Sequence, residues 1–473
     1  MMSAGKYMAL ALALLLPGCS MAPNYVRPEA PVAQAWPDGF MPAGTVLAQP
    51  TEAMAADIGW KQFFTDPHLQ RLIALALDNN RDLRVSALNI ERARGLYQIQ
   101  RADLLPGIEA TGESSNKGLP GDLSNGGERA VSRQDSVMVG MSSYELDFFG
   151  RIQSLRDQAL ENYLGTEEAY RSAHITLVSE VAMAYLTLVA DRERLTIAQD
   201  TLKSQRASYD MIKRRFDVGV SSELDLRQAQ TSVDTARVDI ARYTGQVAQD
   251  LTALGVLAGV KVTPDMLPAR SLSELPLWPD LPVGLPSEIL LRRPDILQAE
   301  HALKAANANI GAARANFFPR ITLTAGIGTA SDDLSNLFDG GTGMWNFLPQ
   351  IRLPLFEGGR NVANLRVSET DKKIAVANYE KAIQNGFREV ADALILRISL
   401  ANQLTAQESL FTATSETYRL SGERYNQGID SYLAVLDSQR AMYSSQLNLV
   451  TVRETREQNL IQLYRALGGG WKE

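Results

Sequence analysis

Histidines, cysteines and glycine-rich loops are the features most often used for metal or nucleotide chemistry, and this sequence contains few of them. Its three histidines, His68, His174 and His301, are widely separated, and none has a second His or Cys at zinc-ligand spacing. Gly326 and Gly328 form only a fragment of a dinucleotide-binding motif, which needs a third glycine between a strand and a helix. No nucleophile and base stand at a recognisable spacing. We therefore expect no catalytic residue, no metal site and no enzyme activity.

Asp437 and Arg440 form the most informative charged pair in the chain. They lie three residues apart in a segment with helical periodicity, so they share one face of a helix. A solvated pair of this kind usually contributes only about 0.2–0.5 kcal/mol. In an assembly with rotational symmetry, one aspartate per chain would instead form a ring of carboxylates around the axis. Such like charges repel unless cations or hydrogen bonds hold them. The residues alone leave both interpretations open.

The N-terminus contains the chain's one cysteine, Cys19, shortly after an apolar run from Met8 to Leu16. A bilayer-spanning helix needs about 20 apolar residues, so this run suits the core of a signal peptide over residues 1–18. The sequence Leu-Pro-Gly-Cys at 16–19 resembles the bacterial lipobox, and Ser20 is typical of lipoproteins sent to the outer membrane. We expect a covalent lipid on Cys19 as the only attached group. The alternative is a plain signal peptide with an incidental cysteine.

The composition is that of a folded, mildly acidic protein. Of 473 residues, 45% are hydrophobic and 21% are charged, and the formal net charge is −7. Nucleic-acid binding needs a basic face that neutralises phosphates, so we expect no nucleic-acid partner.

The chain is internally duplicated. At an offset of 213, seven residues between Asp82 and Thr111 are identical to those between Asp295 and Thr324. At an offset of 209, eight residues between Arg215 and Gly259 are identical to those between Arg424 and Gly468. A period of this length indicates a duplicated half-molecule rather than a solenoid.

Two proline-rich stretches divide the chain. Proline fixes φ and discourages helix in the residue before it, so both stretches are expected to be extended. Six prolines lie between Cys19 and Trp60, and six more lie between Lys261 and Pro286. The predicted organisation is a signal peptide at 1–18, an acylated extended segment at 19–60, a first repeat at 61–260, a connector at 261–285 and a second repeat at 286–473.

Each repeat has the same predicted order of elements: one helix, two strands joined by a Gly/Ser-rich loop, a very long helix and a shorter helix. The first helices are expected at about Asp66–Leu104 and Pro286–Asn316. The long helix Arg151–Phe216 would contain 66 residues and extend about 100 Å. Its length exceeds what a compact core needs, so its apolar stripe is expected to face neighbouring helices.

The predicted strands alternate apolar and polar residues over Arg320–Ile327, Gln350–Leu355 and Tyr144–Phe148. This period is that of a membrane strand with an apolar outer face and a polar inner face, although the pattern alone favours a half-buried soluble sheet. The predicted lipid anchor and the very long helices favour the membrane strand. Four strands cannot enclose a water-filled interior, and open sheet edges are not tolerated in hydrocarbon. A membrane location would therefore require several chains to share one barrel.

Four motifs together resemble the outer-membrane efflux lipoproteins of the TolC superfamily, close to the OprM branch. They are the lipobox ending at Cys19 and the segments Tyr144–Arg151, Ala312–Pro319 and Leu463–Gly470. The resemblance covers nearly the whole mature chain. It implies a mainly α fold with membrane β structure: a trimeric 12-stranded β-barrel, with four strands per protomer, continued by a long α-helical barrel.

The resemblance also implies a function and partners. The chain would be the passive exit duct of a tripartite multidrug efflux pump of the resistance-nodulation-division (RND) class. It would be lipid-anchored in the outer membrane of a Gram-negative cell and project into the periplasm. Its partners would be a periplasmic membrane-fusion adaptor, an inner-membrane RND transporter and outer-membrane lipid.

The two predicted helical turns contain a glycine followed by a serine. Gly219 and Gly428 can adopt the left-handed conformation that ends a helix, and Ser222 and Ser431 can cap the next helix. Turn formation alone explains all four residues. The resemblance additionally implies that these tips lie at the periplasmic end and contact the adaptor.

The resemblance assigns Asp437 to the constriction that closes the periplasmic end, with Arg440 and Tyr425 in the same gate network. TolC has a second aspartate one turn earlier, where this chain has Ala434, so the constriction should be simpler and less acidic. Two alternatives remain: a non-conducting coiled-coil scaffold lipoprotein, and a duct serving metal efflux or type I protein secretion. Substrates are not readable from the sequence.

Overall fold

The computed structural model describes residues 20–33, 36, 55–123, 128–267, 271–276, 278–279, 281 and 292–472. The predicted signal peptide at 1–18, the predicted acylation site Cys19 and the predicted helix start at Pro286 lie outside the described residues. The helix expected at Pro286–Asn316 is too long at its N-terminal end, because Arg292 and Arg293 are not helical and the observed helix is Pro294–Ala315. Residues 20–33 contain no helix or strand, but the segment expected to be extended at 19–60 also contains a short 3-10 helix, Ala55–Asp57.

Both halves contain a helix, two strands, a long helix and a shorter helix in that order, and the first half has two further helices before them. The helices are α1 Trp60–Phe63, α2 Pro67–Asn79, α3 Arg81–Ala102, α4 Arg151–Asp217, α5 Glu223–Ala258, α6 Pro294–Ala315, α7 Arg360–Asn426 and α8 Tyr432–Ala466. The strands are β1 Glu109–Leu119, β2 Ala130–Glu145, β3 Arg320–Ser331 and β4 Gly343–Arg352. The long helices α4 and α7 each contain 67 residues. The proposed repeat boundaries stay a prediction.

The single helix expected at Asp66–Leu104 is wrong: the structure has α2 and α3, separated at Asn80. Asn80 has extended backbone angles, φ −65° and ψ 131°. Its Oδ1 accepts a hydrogen bond from the Leu83 amide at 2.9 Å, and its Nδ2 donates to the Leu257 carbonyl at 3.0 Å. The side chain thus caps α3 and binds the end of α5, which favours a break over a continuous helix.

The four strands form one antiparallel sheet in the order β1-β2-β3-β4. Because side chains alternate along each strand, the register sorts them onto two faces. One face is apolar; on β2 to β4 it includes Val137, Val139, Ile321, Leu323, Ile327, Trp345, Phe347 and Ile351. The other is polar and includes Glu109, Glu113, Lys117, Glu145, Arg320, Thr322, Thr324, Gln350 and Arg352. The alternation predicted from the sequence therefore holds along β3, β4 and the part of β2 that pairs with them from Val137 onward, whereas β1 places only small or polar residues on the apolar face, including Ala110, Gly112, Ser114 and Asn116.

The predicted strand limits need correction at one end of the sheet. β2 ends at Glu145 and β4 at Arg352, so Leu146–Phe148 and Leu353–Leu355 lie outside the strands. β2 also contains a bulge between Met141 and Tyr144, where Ser143 has φ +52°. The extra residue returns Tyr144 to the apolar face, so the bulge preserves the two-faced pattern.

Contacts divide the chain into two compact units, and each unit draws on both halves of the sequence. The first contains the described parts of Met1–Pro28, Asn89–Thr166 and Gln298–Tyr379, including the whole sheet. The second contains the described parts of Glu29–Leu88, Glu167–Leu297 and Glu380–Glu473.

The main hydrophobic core lies in the second unit. Phe63 stacks on Tyr464 with ring centroids 4.0 Å apart, and Phe64 meets Trp278 edge to face at 5.4 Å. Helix α4 contains an 18-residue window apolar enough to cross a membrane, but 61% of that window is buried inside the protein. Burial in a core accounts for its apolar composition.

Candidate functional site

The turn between α4 and α5 is built on a left-handed glycine and a reciprocal cap. Gly219 has φ +79°, a conformation that costs other L-residues energy. The Ser222 Oγ accepts from the Asp225 amide at 3.1 Å, and Asp225 Oδ2 accepts from the Ser222 amide at 3.2 Å. Burial acts to raise the pKa of Asp225, but hydrogen bonds from Ser222 and Ser221 and the nearby Arg215 lower it below its ordinary value. Asp225 therefore stays charged and supports the helix start.

The turn between α7 and α8 is built differently. Gly428 has φ +75°, as expected. Ser431 occupies the N-cap position of α8, but its side chain makes no capping hydrogen bond, so the expected cap is wrong here. The residue three positions on is Ala434, which has no side-chain oxygen to complete a capping box. Arg424 instead binds Asp430 across the turn, with Nε–Oδ2 and Nη2–Oδ1 distances of 2.6 and 3.0 Å.

The ends of the two helical hairpins meet in a small tyrosine-rich cluster, which we call the tip cluster. Its buried members are Ile212, Ala229, Tyr432, Val435 and Leu436, with Tyr209, Leu226, Tyr418 and Tyr425 packed against them. Arg215 Nη1 donates to the Tyr425 hydroxyl at 2.8 Å, and its guanidinium lies 5.2 Å from the centre of the same ring. The two halves of the chain are therefore tied together beside both turns.

The three predicted gate residues do not form one network within a single chain. Asp437 Oδ1 lies 3.7 Å from Arg440 Nη1, and both side chains are more than half exposed. The described contacts of Tyr425 are instead with Arg215 and with Tyr432, whose ring centre is 5.5 Å away. Arg215 was not predicted as a partner, although Arg215 and Arg424 are equivalent positions of the repeat. The role of Asp437, Arg440 and Tyr425 in a gate stays a prediction.

The Tyr144–Arg151 motif forms the passage from β2 into α4. Arg151 binds Glu145 through two hydrogen bonds of 2.8 and 2.7 Å, and Arg320 Nε lies 2.6 Å from Glu145 Oε2. Asp147 accepts from the first backbone amides of α4, including that of Arg151 at 2.7 Å. Phe149 stacks on Phe318 at 4.9 Å, which joins this motif to the second one. These contacts fix the angle at which the helix leaves the sheet.

The histidines have structural partners. His301 Nδ1 lies 2.6 Å from Glu161 Oε2, and His68 Nδ1 lies 3.2 Å from the Met266 carbonyl. Within the described ranges, no group of three or more His, Cys, Asp or Glu side chains is arranged to hold a metal ion.

Comparison with known proteins identifies relatives along almost the whole chain. The family model "Outer membrane efflux protein" matches residues 72–260 and 285–469. The antibiotic efflux pump outer membrane protein ArpC of Pseudomonas putida is 49% identical over 461 residues, which are 98% of this chain and 94% of ArpC.

Solved structures agree with these matches. A membrane protein from Pseudomonas aeruginosa is 42% identical, with a TM-score of 0.88, over 95% of this chain and 100% of its own. The open state of the Neisseria gonorrhoeae MtrE outer membrane channel is 39% identical, with a TM-score of 0.86, over 96% of this chain and 99% of its own.

Proposed function

The chain belongs to the outer membrane efflux protein family, and on that premise we propose that it is the exit duct of a tripartite, RND-type multidrug efflux pump. Three copies would close one barrel in the outer membrane, and their helices would continue as a tube into the periplasm. Transport through this duct is passive, because the energy comes from the inner-membrane transporter.

The observation that carries this proposal is the sheet with one apolar and one polar face. Within the described residues, β1 and β4 each pair with one neighbour only. An unpaired strand edge costs several kcal/mol per backbone group in hydrocarbon, so a lipid-exposed sheet of this kind must continue into another copy. The apolar face then meets lipid, and the polar face lines the interior.

The number of copies follows from the width of the interior. Two copies would give eight strands, and a barrel of that size is filled by its own side chains. Three copies give twelve strands and leave room for an aqueous lumen. The even number of strands per copy also keeps every junction antiparallel.

We assign a covalent lipid to Cys19, which would hold the chain in the outer membrane. In the Cys19→Ser variant, trimers should still form, but the mass of the attached acyl chains should be absent and membrane retention should weaken. Mass spectrometry of the purified proteins checks this. If the Cys19→Ser variant still had the mass of an acylated protein, the assignment of the lipid to Cys19 would be wrong.

The remaining partners follow from the pump class. The tips at Gly219, Ser222, Gly428 and Ser431 are assigned to the periplasmic adaptor, and the adaptor links them to an RND transporter. No catalytic step is assigned to the chain, since a duct needs none.

Drug efflux by living cells tests the proposal. In a Gram-negative strain that lacks its own outer-membrane duct but expresses a compatible adaptor and RND transporter, the chain should restore antibiotic resistance. Resistance should also depend on the transporter. A chain that reaches the outer membrane and restores no efflux would instead support a non-conducting scaffold. Restored metal tolerance without drug efflux would support a metal-efflux duct, and restored protein secretion without drug efflux would support a duct for type I secretion.

A further inference from the structure

The two free edges of the sheet are complementary in direction, charge and size. We propose that β4 of one chain pairs with β1 of the next copy in the register that sets Arg352 directly opposite Glu109. This inference rests on the proposed function, because it presupposes that copies share one barrel.

The direction of pairing follows from the topology. Four consecutive antiparallel strands mean that β1 and β4 run in opposite directions, so their junction between copies is also antiparallel. The ends at Glu109, Glu145, Arg320 and Arg352 all adjoin helices, so they form one common edge of the sheet, its base. Rotational symmetry places the base of every copy at the same height.

The register follows from the stagger within one copy. Residues paired across the strands lead from Glu109 to Gly140, Gly326 and Asn346, so β4 continues six residues beyond that row before it ends at Arg352. Along the strand, the offset per copy is six residues of about 3.3 Å each. Across the strands, one copy occupies four spacings of about 4.8 Å each, so the strands tilt by about 45°. That tilt is one that closed barrels adopt. When the bases of all copies lie at the same height, Arg352 at the base of β4 therefore lies beside Glu109 at the base of β1 in the next copy.

The charges at this junction support the same register. Among the described residues, the Arg352 guanidinium has no ion pair, and Glu145 on the same face is bound by Arg151 and Arg320. Within the described part of the chain, the Glu109 carboxylate accepts one hydrogen bond, from the neutral Ser142 Oγ at 2.7 Å. Both side chains are exposed on the polar face. A neighbouring copy supplies each of them with an opposite charge.

The sizes of the side chains on the apolar face also match. β4 presents large residues there, and β1 presents small ones. In this register Ile351, Pro349 and Phe347 lie opposite Ala110, Gly112 and Ser114 respectively. Phe347 is 58% exposed in one chain, and the small Ser114 side chain leaves room for it.

Cysteine cross-linking tests the register directly. The pair Thr111→Cys and Gln350→Cys lies directly opposite across the proposed junction, and mild oxidation should give covalent dimers and trimers on a non-reducing gel. The pair Thr111→Cys and Leu348→Cys is two residues out of register and should cross-link far less. Equal or reversed efficiency of the two pairs would overturn the register.

Charge exchange provides the second test. Arg352→Glu or Glu109→Arg alone places like charges at all three junctions, and the fraction of trimer in detergent should fall roughly tenfold. The double variant should restore it. Failure of the double variant to recover, in a protein that is otherwise trimeric, would overturn the inference and leave the proposed function intact. A wild-type protein that is monomeric would overturn the proposed function itself.

Discussion

Asp250 on α5 lies among charged side chains from two other helices. Asp191 and Arg194 of α4 and Glu454 of α8 face it, and Arg194 is bound to Asp191 at 2.6 Å and to Glu454 at 2.7 Å. Asp250 Oδ2 is shielded from solvent and has no hydrogen-bond donor among the described residues. Burial, and then the charge of Asp191, raise the pKa of Asp250 to about 6.

This shift predicts how stability depends on pH. A carboxyl group whose pKa is raised on folding contributes most when it is protonated, so the contribution is complete below about pH 4 and is lost as the pH rises through about 6. Asp250→Asn imitates the protonated form. It should raise the free energy of unfolding at pH 7.5 by roughly 1 kcal/mol, since water still reaches part of the group, and change little at pH 4.

Thermal unfolding of the detergent-purified protein at the two pH values measures this effect. The matched control is Asp234→Asn on the same helix, an exposed aspartate 3.1 Å from Arg237. The control should show no comparable gain at pH 7.5. Equal destabilisation by Asp250→Asn at both pH values would contradict the assigned pKa.

Asp437 is the residue we predict to help close the channel at its periplasmic end. Its side chain is 66% exposed in one chain and is held only loosely by Arg440 at 3.7 Å, so it is available to other copies around a symmetry axis. Asp437→Ala should raise single-channel conductance, because it removes a ring of three carboxylates and the contacts that hold it. Glu416→Ala, an exposed acid paired with Arg419 on α7, serves as the control. Unchanged conductance and drug sensitivity in Asp437→Ala would remove this residue from the gate.

The two faces of the sheet give a prediction at the level of one element. Ile327 and Thr322 lie on the same strand, on the apolar and the polar face respectively. Ile327→Arg should reduce insertion into the outer membrane, because an arginine facing lipid near the midplane costs about 2–4 kcal/mol. Thr322→Arg should insert normally and change only the conductance. The amount of folded protein in outer-membrane fractions measures the difference, and equal loss in both variants would argue against a lipid-facing side.

Local sequence signals predicted most of the elements. Proline placement, the glycines at 219 and 428 and the period-two alternation gave the long helices, the turns and the strands in the right order. The break at Asn80 was missed, because the bond that stabilises it goes to Leu257, far along the chain. The bulge at Ser143 was missed for a similar reason: it depends on pairing with β3.

For the whole molecule, the resemblance to outer-membrane efflux proteins is confirmed by the family match, and the fold class by the similar solved structures. The arrangement at the tips was harder to predict. Arg215 and Tyr425 are 210 residues apart, and only the folded chain shows that they are bonded. The gate and adaptor residues depend on contacts between chains, which one sequence cannot specify.

A shared barrel in lipid is the central claim, and single-channel recording in planar bilayers tests it most directly. We predict discrete conductance steps for the purified wild-type protein, small and mostly closed because the periplasmic tips restrict the lumen. Repeated recordings without any unitary conductance, from protein that is folded and inserted, would contradict the claim that the protein is a duct.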